Sequence, residues 1–479
     1  MNRRTPFLLS LVVLVGCAVG PNYERPAVTA PEQVRGQSGA AEAASLADSG
    51  WWEIFRDETL RGLIDEALAN GYDPRIAAAR VEEARAEAGI ARADFYPQVQ
   101  YQAQGSRGRQ SESVSPGGET VNLHDVHVGL SWELDVWGRI RRSSEAARAQ
   151  YLSSEAARRG VLLSLVSEVA EQYFRLRALD EQLDIAKRTN VAFQDTYDLF
   201  KRRLEGGVAS ELETSSAQAL LESVSGQVPL LESRIVTQEN AICLLLGRNP
   251  GPIARGSALT DQFIEPEIPP GLPSDLLERR PDLLAAEQRL VAANATVGVA
   301  KANFFPAISL TAAFGGVSPD VSNLFHAGKA WSVAAGLVGP AFQGLRLKNQ
   351  YDARLAEWER AKLQYEQAVT SAFGEVSSTL VTHQKLVDVE THQARTVAAY
   401  RDAVLLSNER YLAGLASYLD VLQAQQQLFP AENTLAQTRF DRLANFTQLY
   451  KALGGGWRIE NPSWGRPAPE SSAALAIRP

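Results

Sequence analysis

Few residues in this chain have the type and spacing that chemistry requires. Its 479 residues hold two cysteines, Cys17 and Cys243, and five histidines. His124 and His127 come nearest to a ligand pair, but they stand three apart in a stretch of alternating polarity, where such residues point to opposite faces of a strand. Cys243 sits in the apolar run Ala241-Ile242-Cys243-Leu244-Leu245 and is expected to be a small buried hydrophobe, not a reactive thiol. No disulfide framework is available. There is no glycine-rich phosphate loop, no nucleophile elbow and no His-Glu zinc motif, so neither catalysis, a cofactor nor a metal site is expected. The formal charge of −8 argues against a nucleic-acid partner.

Cys17 is the one residue set up for covalent chemistry. Arg3 and Arg4 form a positive n-region and Phe7 to Val15 an apolar h-region, too short to span a bilayer. The run Leu14-Val15-Gly16-Cys17 resembles the lipobox of bacterial lipoproteins, in which the cysteine is acylated after cleavage. The alternative is an ordinary secretory signal with a cysteine placed by chance. By the same resemblance, Ala18 in place of aspartate favours sorting to the outer membrane. Loss of Arg3 and Arg4 takes the charge from −8 to −10. Acyl chains anchor without spanning, and after Val15 no apolar run is long enough for a transmembrane helix, so any membrane crossing must use strands.

The elements that would carry such an activity come in duplicate. Asp73 to Pro97 falls on Asp282 to Pro306 at a constant offset of 209, with Arg80, Ala84, Gly89, Phe95 and Pro97 meeting Arg289, Ala293, Gly298, Phe304 and Pro306. Farther on, Arg203, Gly207, Ser210 and Leu212 meet Arg410, Gly414, Ser417 and Leu419 at an offset of 207. The expected organisation is a signal peptide (1–16), an acylated N-terminal segment (17–50), a first repeat (51–247), a Pro/Gly-rich linker (248–273), a second repeat (274–456) and a tail (457–479).

Each half holds two stretches of strict alternation. Val99, Tyr101 and Ala103 alternate with glutamines, and Val126, Val128, Leu130, Trp132 and Leu134 alternate with mostly polar residues. Ile308 to Phe314 and Trp331 to Leu337 repeat the pattern with smaller residues. Apolar outside and polar inside is the pattern of a membrane barrel; a soluble sheet packed on one face is the alternative. A membrane barrel needs about eight strands or more, and one chain offers four. Several copies must therefore share one barrel. From Arg139 to Leu204, and again from Leu345 to Leu412, there is no proline and one glycine, so each stretch predicts a helix of about 100 Å, as one rod or a kinked bundle. Leu162, Val166, Val169, Tyr173 and Leu176 have coiled-coil spacing. Pro97 and Pro306 stand where helix must give way to strand.

Four ordered blocks then match a known family. VGPNYERP follows Cys17, WWEIFRDETLRGLIDEALANGYD starts at Trp51, DLLERRPDLLAAEQRLVAANATVGVAKANFFPAISLTAAFGG at Asp275, and YKALGGGW at Tyr450. Over nearly the whole mature chain it resembles TolC-like outer-membrane efflux channels of the lipoprotein (NodT-type) branch. The resemblance implies an α+β membrane protein built from a duplicated helix–hairpin–long helix–turn–helix unit, forming a homotrimer with a twelve-stranded β-barrel continuous with a twelve-helix α-barrel. It implies a passive channel subunit of a tripartite pump, lipid-anchored in the outer membrane of a Gram-negative bacterium and reaching into the periplasm. Its implied partners are outer-membrane lipid, a periplasmic adaptor and an inner-membrane pump of the RND class. The turns Gly206-Gly207-Val208-Ala209-Ser210 and Ala413-Gly414-Leu415-Ala416-Ser417 fall where the family meets its adaptor. Asp420 matches the first of the aspartates that narrow the family's periplasmic aperture; Gln423 stands where the second would be, with Leu419 beside them. Glu213 is the repeat counterpart of Asp420, and its role is left open. Two other readings stay beside this one: a duct for type I secretion or metal efflux, and a structural coiled-coil envelope lipoprotein.

Overall fold

The computed structural model describes residues 18–28, 31, 33–36, 45–109, 111, 113, 118, 120–262, 271 and 273–456. Cys17, the signal and the tail lie outside them. The main elements are α1 (Glu58–Asn70), α2 (Tyr72–Ala93), β1 (Gln98–Arg109), β2 (Thr120–Leu134), α3 (Arg139–Glu205), α4 (Glu211–Ser225) and α5 (Gln227–Leu245). They continue with α6 (Pro281–Ala302), β3 (Ala307–Ser318), β4 (Lys329–Val338), α7 (Arg346–Leu412) and α8 (Tyr418–Ala452). The duplication is visible in their ends: α2 and α6 start and stop 209 residues apart, and α3 and α7 start and stop 207 apart. Both long helices run unbroken for 67 residues, about 100 Å at the rise of an α-helix.

The returning limbs differ. In the second half α8 is a single helix of 35 residues with Pro430 inside it. In the first half the limb divides at Gly226 into α4 and α5. Pro229 has no N–H to offer the Ser225 carbonyl, and unlike Pro430 it follows a glycine within one turn, so the helical ladder is interrupted at Gly226.

The chain divides into two compact units, each drawing on both halves of the sequence. One comprises residues up to Ala27, Arg80–Glu155 and Ala285–Glu366, and carries the sheet. The sheet is antiparallel in the order β1-β2-β3-β4, with no strand of the described residues on the outer edge of β1 or β4. Its register sorts the side chains by face. Val99, Leu130, Ala312 and Val333 form one row across all four strands, and Tyr101, Val128, Phe314 and Trp331 the next. The opposite face carries Gln98, Ser131, Thr311 and Ala334, then Gln100, Gly129, Ala313 and Ser332. Where sheet meets helix, the Trp137 indole N–H donates to the Pro306 carbonyl at 2.8 Å and its ring stacks on Phe305 at 4.7 Å.

The other unit comprises Val28–Ala79, Ala156–Leu284 and the residues from Gln367. Its core buries Leu162, Val166, Val169, Tyr173 and Leu176, the seam expected from their spacing, with Trp51, Leu60, Ile64, Phe446, Leu449 and Tyr450. The segment after α5 is tied down by Arg255, which pairs with Asp180 at 3.1 Å and with Glu239. The Asp57 carboxylate joins α1, α3 and this segment. It accepts from the Thr59 and Leu60 amides at 2.9 and 3.2 Å, from the Tyr173 hydroxyl and the Ser257 amide at 2.9 Å, and from Gln262 Nε2 at 2.9 Å. Among the described residues no helix is long and apolar enough to cross a membrane.

Candidate functional site

Two surfaces can do work: the sheet, and the paired turns that join long helices to returning ones. On the sheet, the apolar face is uncovered. Tyr101 is 87% exposed, Trp331 76% and Val333 74%, where a soluble sheet would have buried one apolar face. The polar face offers amides, hydroxyls and small side chains; His127 Nδ1 lies 2.9 Å from Asp125 Oδ1, and Glu133 at the end of β2 pairs with Arg139 at 2.8 Å. His124 stands on the other face, as its spacing requires, and no group of three or more potential metal ligands occurs among the described residues.

At the turns, the sequence ends each long helix in the same way. Gly207 and Gly414 take φ of +71° and +75°, the left-handed conformation that closes a helix at least cost with glycine. Around Gly207 the Val208 amide reaches back to the Arg203 carbonyl at 2.9 Å and the Gly207 amide to Leu204 at 2.9 Å; around Gly414 the Leu415 amide reaches Arg410 at 2.8 Å and the Gly414 amide Tyr411 at 3.0 Å. These are two Schellman caps. Ser210 and Ser417 then open the next helices. The Glu213 carboxylate accepts from the Ser210 amide and hydroxyl at 2.8 and 3.0 Å, and the Asp420 carboxylate from the Ser417 amide and hydroxyl at 3.0 and 2.9 Å. The spacing Ser-x-x-Glu or Ser-x-x-Asp before an apolar helix announces such capping boxes in the sequence. The same spacing marks Glu213 and Asp420 as cap residues from the sequence alone.

Behind the turns lies a small shared core. Phe200, Ala217, Tyr418, Val421 and Leu422 are buried together, with the Phe200 and Tyr418 rings 4.0 Å apart. The Arg203 guanidinium lies 5.3 Å over the Tyr411 ring and donates to its hydroxyl, linking α3 to α7. Nothing short-range in the sequence reports this contact, because its partners are 208 positions apart. Burial, then the neighbouring Tyr411 and Glu213, pushes the Tyr418 hydroxyl above its ordinary pKa. With Tyr418, Val421 and Leu422 facing this core, Leu419, Asp420 and Gln423 share the exposed side of the first turns of α8. Val208, Leu212, Leu412 and Leu415 at the turn ends are each at least 70% exposed. Among the described residues nothing covers these apolar side chains.

An amphipathic sheet with unpaired edges, continued by paired 67-residue helices that end in capped turns, defines a channel-forming envelope protein of the TolC-like fold. The family model for outer membrane efflux proteins matches residues 63–248 and 272–455. Cation efflux system protein CusC of Escherichia coli O6:H1 is 36% identical over 459 residues, covering 95% of this chain and 98% of the relative. Solvent efflux pump outer membrane protein SrpC of Pseudomonas putida is 36% identical over 463 residues, covering 94% and 98%. Among solved structures, the outer-membrane channel OprN superposes with a TM-score of 0.86 at 30% identity, covering 92% of this chain and all of OprN. The open state of the Neisseria gonorrhoeae MtrE outer membrane channel gives 0.82 at 33% identity, covering 92% and 98%. The chain belongs to the outer membrane efflux protein family, the outer-membrane channels of tripartite efflux systems.

Proposed function

We propose that the chain works as a homotrimer, passively conducting substrates delivered by a periplasmic adaptor and an RND-class inner-membrane pump, and catalysing no reaction. The observation that carries this is the four-stranded sheet with two open edges and one uncovered apolar face. In lipid the edge N–H and C=O groups have no water to turn to, and each one left unpaired costs several kcal/mol. Closing β4 of one copy onto β1 of the next removes every edge, and three copies give twelve strands, above the minimum for a membrane barrel. Cys17, acylated, adds an anchor to the outer-membrane leaflet. The exposed apolar turns around Gly207 and Gly414 suit an adaptor's helical hairpins. Asp420, with Leu419 and Gln423 on the same exposed side of α8, suits the narrow periplasmic aperture, where three copies would form a ring of carboxylates backed by amides. Such a ring attracts cations.

The relatives are described by different cargoes, cations for CusC and solvent for SrpC. A wall of glutamine, serine, threonine and glutamate, with Asp125 and His127 the other ionisable groups of β2 on that face, is wet and unspecialised, which leaves selection to the pump. Crosslinking of the full-length protein in mild detergent tests the assembly. Trimers are expected, and a monodisperse monomer with full helix and strand content would overturn the reading.

A further inference from the structure

The eight residues Ala18–Arg25 lie along the unit that carries the sheet, held at six of their positions. Ala18 sits so close to Gly138 that a Cβ there would come within 2.8 Å of the Ala18 Cα, and the Val19 amide donates to the Trp137 carbonyl at 3.1 Å. Gly20 packs on Gly298 of α6, where an added Cβ would stand 2.6 Å from the Gly298 Cα. Arg142 Nη2 donates to Asn22 Oδ1 at 2.7 Å. The line ends on Glu287, whose residue is 7% exposed. Its carboxylate accepts from the Tyr23 hydroxyl at 3.0 Å and from Arg25 Nε and Nη2 at 2.7 and 2.6 Å.

The fixed points follow α6: Gly298 and Glu287 stand eleven residues apart on that helix, about 16 Å, and Gly20 meets the first while the Tyr23 and Arg25 side chains reach the second. The receiving surface is also special to one repeat. Ala78 occupies the position in α2 that Glu287 occupies in α6, and Gly89, the counterpart of Gly298, has nothing within 4 Å of where its Cβ would be.

We propose that Glu287 is a positioning residue for the lipid anchor. By holding Tyr23 and Arg25 it keeps Ala18–Arg25 docked on its unit, so that the acyl group of Cys17 is joined to a peptide that is fixed from Ala18 onward. A released peptide of ten residues would instead let the anchor wander over about 18 Å. The inference rests on acylation of Cys17, and its test separates the two.

The assembled channel in detergent is treated with chymotrypsin, and release of the peptide ending at Tyr23 is followed by mass. In the wild-type protein the bond after Tyr23 is cut slowly. Glu287→Ala and Arg25→Ala should each be cut at least about tenfold faster, as a docked segment becomes an open one. Arg25→Ala lies outside every helix, so it reports even if Glu287→Ala folds poorly. The exchanged pair R25E with E287R should restore protection, which loss of general stability would not do. Equal rates in wild type and both single variants, or no rescue by the exchange, would overturn the docking. A released peptide lacking acyl mass would overturn the anchor on which the positioning depends.

Discussion

Substitution of Asp57 by asparagine should loosen the segment that follows α5 without disturbing the long helices. The wild-type carboxylate accepts five hydrogen bonds, two on Oδ1 from the start of α1 and three on Oδ2 from Tyr173, Ser257 and Gln262. Asparagine keeps the shape but turns one acceptor into a donor. Whichever way the amide faces, two or three buried donors lose their partner, at about 1–3 kcal/mol each, offset in part because the Tyr173 hydroxyl can rotate. The expected net loss is about 3 kcal/mol, or roughly a hundredfold in the population of the opened segment. Amide hydrogen exchange on the detergent-solubilised channel reads this at Leu60, Gly256 and Ser257. Arg248→Ala, which removes a half-exposed pair with Glu66, should change exchange by a factor of about two or less. Burial alone would raise the Asp57 pKa, but the bonds from Gln262, Tyr173, Leu60 and Ser257 outweigh it and hold the carboxyl below its ordinary range. Its contribution is therefore complete above the unfolded pKa of about 3.9 and is lost as pH falls through the lower folded value. Exchange in Asp57→Asn within about threefold of wild type would refute the reasoning, since it would mean that the five bonds exchange for water without cost.

Three further outcomes are expected. In planar bilayers the closed channel should prefer cations and be blocked by divalent or trivalent ions from the periplasmic side; Asp420→Ala should weaken the block and Gln423→Asp strengthen it, and an unchanged block in Asp420→Ala would make the carboxylate incidental. Gly207→Ala and Gly414→Ala should each destabilise their turn by about 1–2 kcal/mol through backbone conformation alone, since nothing lies within 4 Å of either added Cβ, and faster exchange confined to the turn amides would register it. Cys17→Ser should abolish labelling by radioactive palmitate while trimers still form in detergent, and label that survives the change would end the lipid-anchor reading.

Much of the architecture could be read because its signals are local or periodic. Flanking glycines, Gly138 and Gly206 for α3 and Gly344 and Gly414 for α7, mark the ends of the proline-free helices to within a residue or two of Arg139–Glu205 and Arg346–Leu412. The strands are legible in the alternation, but their full lengths are not. Alternation fails at Gly105-Ser106-Arg107-Gly108, yet β1 continues to Arg109 because these residues pair with Thr120–His124 across the hairpin. Pairing extends a strand where its own pattern has stopped. Contacts between distant positions left no trace of this kind. Tyr173 and Ser257 meet on Asp57 across 116 and 200 positions, and Arg25 meets Glu287 across 262. A charged residue on an otherwise apolar helix face could have raised the question of a partner without supplying the answer.

The duplication also separates contacts that both halves share from contacts that one half adds. Positions that keep their type in both halves, such as Gly207 with Gly414 and Ser210 with Ser417, make the same turn and the same cap twice. Positions that differ make contacts that occur once. Gly71 corresponds to Arg280, which is 7% exposed and pairs with Asp282, Glu375 and the Ala452 carbonyl to tie the start of α6 to α7 and the end of α8. Ala78 corresponds to Glu287 and Glu213 to Asp420. The last pair separates two duties that one residue could confuse. Both carboxylates cap a helix through a single oxygen, Oε2 of Glu213 and Oδ2 of Asp420, and a carboxylate has about four acceptor sites in all. Capping therefore leaves Oδ1 of Asp420 available and fixes its direction. A gate built on Asp420 would need no relaxation of the cap, whereas any role peculiar to the second repeat must come from the surroundings of Asp420 and not from its charge, which Glu213 shares.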